Sequence, residues 1–223
     1  MKKLCLCIFS WLAVPILLVC AVLLAVSLYQ FCAEELLNGR EAKILAAVAL
    51  VAAVVFYYVR LNPIYVFGHE STHWLVAKLT GHKTGRFVCK RSQGYVEIDN
   101  PGLLITLSPY FIPLYFLLLC GLASLWGTLF PQLSPNWLKQ AVAVALVVSL
   151  TYHFVLTAIA LRHGQSDLKR FGVCFSLALV IALNFVFLYL AALVTARNWK
   201  LGFAILFENA AQFVQWASHI KIF

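Results

Sequence analysis

The sequence predicts an all-α polytopic membrane protein with about five to six transmembrane helices and a short β-hairpin-like loop. Of its 223 residues, 63% are hydrophobic and only 11% are charged, whereas soluble domains carry about 25% charged residues. Runs without any charged residue also exceed the roughly 20 apolar residues that span the hydrocarbon core. These runs are residues 4–33, 100–138, 140–161 and 171–196. The composition therefore excludes an ordinary soluble domain.

The first apolar segment, residues 4–33, follows the basic start Met1-Lys2-Lys3. Its apolar part is about twice as long as that of a secretory signal, and no small-residue cleavage site is evident near its end. We expect a retained signal-anchor helix. The next segment, residues 44–80, is interrupted at Leu61-Asn62-Pro63. It forms either two separate passes or one pass kinked at Pro63, and the single kinked segment is favoured.

The longest polar stretch, residues 81–100, contains two short strand-like runs separated by Ser92-Gln93. This pattern suits a β-hairpin, and an irregular basic loop is the alternative. Residues 101–130, 138–161 and 171–196 are expected to span the membrane, and residues 197–223 form a tail that lies along the interface or inserts partly. Together, residues 1–223 are expected to form a single membrane-embedded domain.

The cysteine and charge patterns argue against a cysteine-stabilised protein and against a nucleic-acid-binding protein. The seven cysteines contain no CxxC pair, so neither a disulfide framework nor a cysteine zinc site is indicated. The net charge of +9 arises from basic residues beside membrane segments. Such residues commonly set membrane orientation, and we expect no nucleic-acid partner.

One short motif carries chemistry: His69-Glu70-Ser71-Thr72-His73. Two histidines four residues apart lie on the same helix face, so both imidazoles can reach one Zn²⁺ ion. Glu70 is then placed to act as general base and acid on a water that the zinc activates. Because these groups cost several kcal/mol in an apolar helix unless they are paired or bind metal, they indicate a functional site. A polar cluster that joins helices by hydrogen bonds is the alternative.

A catalytic zinc normally has three protein ligands and one open position. Asp167, at the start of the last strong membrane segment, is the preferred third ligand. Its alternative role is a carboxylate at a helix N-terminus. His153 lies in an apolar segment, where it could bond a neighbouring helix or support a ligand. The remaining candidates lie in loops or at segment ends: His82, Glu97, Asp99 and His163.

Counting the crossings after Thr80 places Asp167 on the same side of the membrane as the two histidines. With a single kinked crossing, the basic residues of the N-terminus, of residues 81–100 and of residues 162–170 share that side. The positive-inside rule makes it the cytoplasmic side. We therefore expect five crossings, with the metal near the cytoplasmic face.

The chain resembles the site-2 protease family of intramembrane zinc metalloproteases. The HExxH motif in a membrane helix, the polar stretch of residues 81–100 and the later Asp167 carry this resemblance, which covers roughly residues 63–172. It implies a compact, divergent, bacterial-type member without a PDZ domain, in the bacterial plasma (inner) membrane. It further implies that His69, His73 and Asp167 hold Zn²⁺ while Glu70 activates water.

The expected function is zinc-dependent hydrolysis of a peptide bond in a membrane-anchored protein, within or beside the bilayer. The alternative is a non-enzymatic membrane protein, either a metal-ion carrier or a pseudo-protease that binds partner proteins. A carrier requires further intramembrane carboxylates or histidines along a path, and beyond Glu70 the apolar segments contain only His153. A pseudo-protease would normally carry a damaged HExxH motif. Ser108 and Tyr110, on either side of Pro109, could contact a substrate strand or an oxyanion.

Overall fold

The computed structural model describes residues 2–35, 39–133, 135–162, 165–196 and 198–219. Within these ranges the chain is largely helical, with one small antiparallel sheet. The helices are α1 (Lys2–Glu35), α2 (Arg40–Tyr58), α3 (Asn62–Leu79), α4 (Leu103–Leu107), α5 (Leu114–Leu129), α6 (Asn136–Arg162), α7 (Ser166–Arg170), α8 (Val173–Ala196) and α9 (Trp199–His219). The strands are β1 (Thr84–Cys89) and β2 (Gly94–Ile98).

In the described part of the chain, four helices are long and apolar enough to cross a membrane: Leu12–Glu35 of α1, and the whole of α2, α6 and α8. A fifth span is possible if Leu103–Tyr110 and α5, which are bent by 79° relative to each other, are counted together. Pro113 stands directly before α5 and has no backbone N–H to continue the preceding turn. The predicted helical fold with several membrane-length helices is confirmed, and the four to five possible spans roughly fit the five to six expected. The segment of residues 101–130 is broken rather than straight.

The segment predicted as one kinked crossing, residues 44–80, is divided into α2 and α3. The break lies at Leu61, whose φ of 33° is in the left-handed region, a conformation that most residues avoid. Pro63 lies in the first turn of α3, where a proline is well tolerated because the first helical N–H groups have no partner within the helix. Pro63 therefore begins a helix instead of kinking one.

The predicted hairpin is present. Strands β1 and β2 pair antiparallel, with Phe87 opposite Val96 and Cys89 opposite Gly94. The register shifts between Thr84 and Phe87, which is typical of a β-bulge. The Oε2 atom of Glu97 accepts a hydrogen bond of 3.0 Å from the backbone N–H of Arg86 on the facing strand.

The chain divides into two compact units, residues 43–169 and residues 1–42 with 170–223. In the second of these, α1 packs against α8 and α9, around a core formed by Phe31, Tyr189 and Leu193. The tail, residues 197–223, contributes α9, and Asn209 of this helix donates hydrogen bonds to Ser27 and Gln30 of α1.

Residues 43–169 are organised around α3. Strands β1 and β2, helix α4 and the 3₁₀ helix Ser108–Tyr110 all contact α3. Its beginning is held by two tyrosines, because Tyr152 donates to the carbonyl of Leu61 at 3.1 Å and Tyr115 donates to that of Ile64 at 2.6 Å. The helix that carries the HExxH motif is therefore supported along most of its length.

Candidate metal centre

Helix α3 presents both histidines of the motif on one face, as the four-residue spacing predicts. The ring centroids of His69 and His73 are 4.9 Å apart, and both side chains are largely buried, with 11% and 12% exposed. Helical geometry alone therefore brings the two imidazoles together.

Asp167, in the first turn of α7, meets the two histidines. Its Oδ2 atom lies 3.6 Å from Nε2 of His69 and 3.6 Å from Nε2 of His73. One ligand atom from each of the three residues lies within 4.8 Å of the others, so the group could hold a metal ion. The sequence left two positions open for Asp167, one in a first helical turn and one beside the histidines. In the structure Asp167 occupies both.

The donor set suits zinc, which binds imidazole nitrogen and carboxylate oxygen at about 2.0–2.2 Å in tetrahedral geometry. Such bond lengths place neighbouring ligand atoms about 3.3 Å apart, close to the two distances of 3.6 Å to Oδ2 of Asp167. Three protein ligands also leave the fourth tetrahedral position open, as in catalytic zinc sites.

The other ring nitrogen of His73, Nδ1, already has a hydrogen-bond partner. Nδ1 of His73 lies 2.8 Å from the carbonyl oxygen of Ile105. Because a carbonyl oxygen only accepts, Nδ1 carries the proton, and in the neutral ring Nε2 presents its lone pair toward Asp167. A cation held between Nε2 and the carboxylate oxygen, or a proton on Nε2 that is donated to this oxygen, satisfies both atoms. A backbone carbonyl that orients a ligating histidine in this way is typical of metal sites.

Asp167 also has a supporting partner. The hydroxyl of Tyr110 donates a hydrogen bond of 2.9 Å to Oδ2 of Asp167. Burial raises the pKa of the Asp167 carboxyl, but the interactions with His69, His73 and Tyr110 outweigh burial and hold its pKa well below the ordinary value. The ionised carboxylate is therefore the form that faces the histidines.

Glu70 points to the neighbouring side of α3 and is 8% exposed. It lines a cleft of about 330 Å³ together with His69. The hairpin closes over it, because a Cβ atom built on Gly94 would lie 2.7 Å from Cγ of Glu70 and 2.9 Å from the carbonyl oxygen of Val88. Only glycine permits this approach of β2 to α3. The rest of the cleft wall is mixed: it has polar side chains from Arg60, Asn62, Ser92, Gln93 and Gln165, and apolar ones from Val66, Leu156, Ile159 and Ala160.

The other candidate ligands are placed elsewhere, with one exception. His82 follows α3 and bonds the hydroxyl of Thr80 through Nδ1 at 3.0 Å, while Glu97 and Asp99 are exposed on or beside the hairpin. His163 lies outside the described residues. His153 does approach the centre, since it lines a small cavity shared with His69.

Several contacts at the centre were not foreseen from the sequence. Ser108 and Tyr110, which the sequence offers as contacts for a substrate strand or an oxyanion, are both fully buried. Ser108 donates to the carbonyl of Ile105 at 3.0 Å, and Tyr110 donates to Asp167. The contact of His73 with Ile105 could not be predicted, because it is made by a backbone carbonyl that every residue carries. The sequence did offer one indication of the role of Tyr110. This tyrosine follows Pro109 in an apolar run, and a tyrosine hydroxyl that is buried requires a hydrogen-bond partner.

Comparisons with known proteins add no family assignment. No protein-family model matches the chain, and neither a curated protein nor a solved structure matches it at a significant level.

Proposed function

We propose that this chain is a membrane-embedded zinc-dependent endopeptidase that hydrolyses a peptide bond of a membrane-anchored protein. One observation carries the proposal. In a chain with several membrane-length helices, two imidazole nitrogens and a carboxylate oxygen converge, and the glutamate that follows the first histidine is buried beside a cleft. Two histidines, a carboxylate and a neighbouring glutamate suit the metal ligands and the acid–base group of zinc hydrolysis.

Each residue has a separate role in the proposed reaction. His69, His73 and Asp167 would hold the ion; zinc bound there supplies Lewis acidity toward the scissile carbonyl and lowers the pKa of a water. The carboxylate of Glu70 takes the proton of the attacking water and passes it to the nitrogen of the leaving amine. Tyr110 and the carbonyl of Ile105 hold Asp167 and His73 in place.

The cleft beside Glu70 supports a peptide as substrate. Its volume of about 330 Å³ accommodates only part of a polypeptide. The polar side chains in its wall provide partners for backbone N–H and C=O groups, which must be satisfied inside a membrane. The helices around it are apolar and expose large hydrophobic side chains. A substrate that reaches the cleft from the lipid phase is therefore a membrane-anchored protein.

The membrane we propose is the bacterial plasma membrane, with the active site nearer its cytoplasmic face. Lys83, Arg86, Lys90 and Arg91 lie in or beside the hairpin that covers Glu70. A cluster of basic residues next to membrane helices favours the cytoplasmic side.

Metal analysis of the purified protein tests the proposal. Full-length wild type in detergent is expected to contain about one zinc ion per chain by plasma mass spectrometry, and His69→Ala, His73→Ala and Asp167→Ala are each expected to lose it, because a three-ligand site fails without one ligand. His82→Ala and Asp99→Asn are the matched controls and should retain zinc. A metal-free wild type would overturn the proposal. Unchanged zinc in Asp167→Ala would remove Asp167 from the ligand set.

Hydrolysis is tested separately. The zinc-loaded protein is reconstituted with single-span membrane proteins, and fragments are sought by mass spectrometry. Fragments that are absent after chelation support the endopeptidase. Zinc binding without any fragment, across substrates of both orientations, would favour the alternative of a metal carrier or a partner-binding protein.

A further inference from the structure

A second, much smaller cavity also borders His69. Its volume is about 20 Å³, and its wall includes Tyr65 and His69 of α3, His153 of α6 and Tyr115 of α5. Among the described residues, the buried polar atoms without a hydrogen-bond partner include the hydroxyl of Tyr65, Nδ1 of His69 and Nε2 of His153. Each of these three residues lines this one cavity.

Three unpartnered atoms around one cavity require an explanation, because a buried polar group without a partner costs about 1–3 kcal/mol. Proteins meet this cost with ordered water where space allows, and about 10–15 Å³ of such space holds one molecule. The cavity of about 20 Å³ is large enough for one water and too small for an organic ligand. Three polar partners are also the usual number for a buried water.

The chemistry of His69 sets the direction of the hydrogen bonds. Nε2 of His69 faces Asp167 and His73, so a metal would bind there. A neutral imidazole that ligates through Nε2 must carry its proton on Nδ1, and this N–H needs an acceptor. His73 has the carbonyl of Ile105 for the same purpose, whereas Nδ1 of His69 has no acceptor within the described part of the chain.

We propose that the cavity binds one structural water that joins His69 to His153, and that His153 is a positioning residue of the metal centre. The water accepts hydrogen bonds from Nδ1–H of His69 and from the hydroxyl of Tyr65, and it donates one to Nε2 of His153. All three unpartnered atoms are then satisfied by a single molecule. In this arrangement His153 touches neither substrate nor metal, and it acts by holding the ring of His69 in the tautomer that ligates.

The role of His153 rests on the proposed metal site, and zinc affinity tests it without any cleavage assay. Removing a partner that orients a metal ligand typically weakens metal binding by about 10–100-fold. We therefore expect His153→Phe, which keeps a planar ring but has no acceptor, to bind zinc about 10–100-fold more weakly in competition with a chelator. His153→Gln, whose amide oxygen can accept from the water or replace it, should recover most of the affinity.

Two further variants complete the experiment. Tyr65→Phe removes one of the three partners of the water but leaves the link from His69 to His153, so its loss of zinc affinity should be smaller than that of His153→Phe. Ser149→Ala is the matched control on α6, because Ser149 donates to the carbonyl of Leu146 in its own helix. It should bind zinc like wild type.

A second readout does not depend on affinity. In zinc-loaded protein labelled with ¹⁵N-histidine, the Nδ1 proton of His69 should exchange slowly with solvent in wild type and in His153→Gln, and faster in His153→Phe. A folded His153→Phe protein with wild-type affinity and slow exchange would overturn the role of His153 while leaving the metal site intact. If His153→Phe fails to fold, an affinity in His153→Gln no better than in His153→Ala would overturn it. A wild type that binds no zinc would overturn both proposals.

Discussion

The hydroxyl of Tyr110 donates a 2.9 Å hydrogen bond to Oδ2 of Asp167, a residue 57 positions later in the chain. The same oxygen lies 3.6 Å from Nε2 of both histidines. Tyr110 is fully buried, so this bond is made away from bulk water, where a charge-assisted hydrogen bond is strong. Tyr110 thereby selects which oxygen of Asp167 faces the histidines.

Tyr110→Phe removes this hydroxyl and keeps the ring. Because Asp167 then loses the donor that orients it, we expect zinc affinity to fall by about 10-fold or more. Chelator competition on the purified protein measures the change. Tyr29→Phe, at an exposed tyrosine of α1, is the control. Equal affinities in the two variants would show that Tyr110 does not support the ligand.

Glu70→Gln separates chemistry from metal binding. The amide cannot take a proton from water, so hydrolysis should fall by at least about 10²-fold, the lower range of a general acid–base contribution. Zinc content should be unchanged, because Glu70 is not in the ligand group. Fragment formation from a single-span membrane protein and plasma mass spectrometry report the two quantities.

The matched control for Glu70 is Glu97→Gln, which removes an exposed carboxylate from the hairpin. It should retain both zinc and hydrolysis. Persistent cleavage by Glu70→Gln at the wild-type rate would disprove the role that we give to Glu70.

Gly94→Ala tests the contact between the hairpin and α3. The new methyl group would lie 2.7 Å from Cγ of Glu70 and 2.9 Å from Cγ1 of Val66, and such overpacking costs about 1–3 kcal/mol. We expect a lower free energy of unfolding and slower hydrolysis with zinc retained, since the ligands do not lie on the hairpin. Gly121→Ala in α5, where nothing lies within 4 Å of the added atom, should be neutral or slightly stabilising. Similar behaviour of the two variants would argue against a close contact at Gly94.

Gly68→Ala tests how Tyr115 packs on α3. A Cβ atom at this position would lie 2.7 Å from Cε2 of Tyr115, so the substitution should destabilise the protein by up to about 3 kcal/mol. In a Tyr115→Ala background the clash is removed, and the higher helix propensity of alanine should stabilise α3 by up to about 1 kcal/mol. Unfolding in mixed detergent micelles measures this double-mutant cycle. The same sign in both backgrounds would rule out the predicted clash.

The membrane helices and the hairpin could be predicted because their signals are local. Charge-free apolar runs define α1, α6 and α8 directly, and the two strand-like runs around Ser92-Gln93 define β1 and β2. The break between α2 and α3 was harder to predict. Leu61 adopts a left-handed conformation that no sequence pattern favours for leucine, and Pro63 is compatible both with a kink and with a helix start.

The sequence by itself determined the composition of a membrane protein and the pairing of His69 with His73, because a four-residue spacing acts through the geometry of a single helix. Choosing Asp167 as the third ligand also required a count of membrane crossings. Such a count says which residues share a side of the membrane, but not how far apart they lie. Only the tertiary structure decided that Asp167 reaches both histidines, that Tyr110 bonds it, and that His153 lines a cavity shared with His69. These relationships join residues from separate helices, and packing between helices depends on the shapes of many side chains at once.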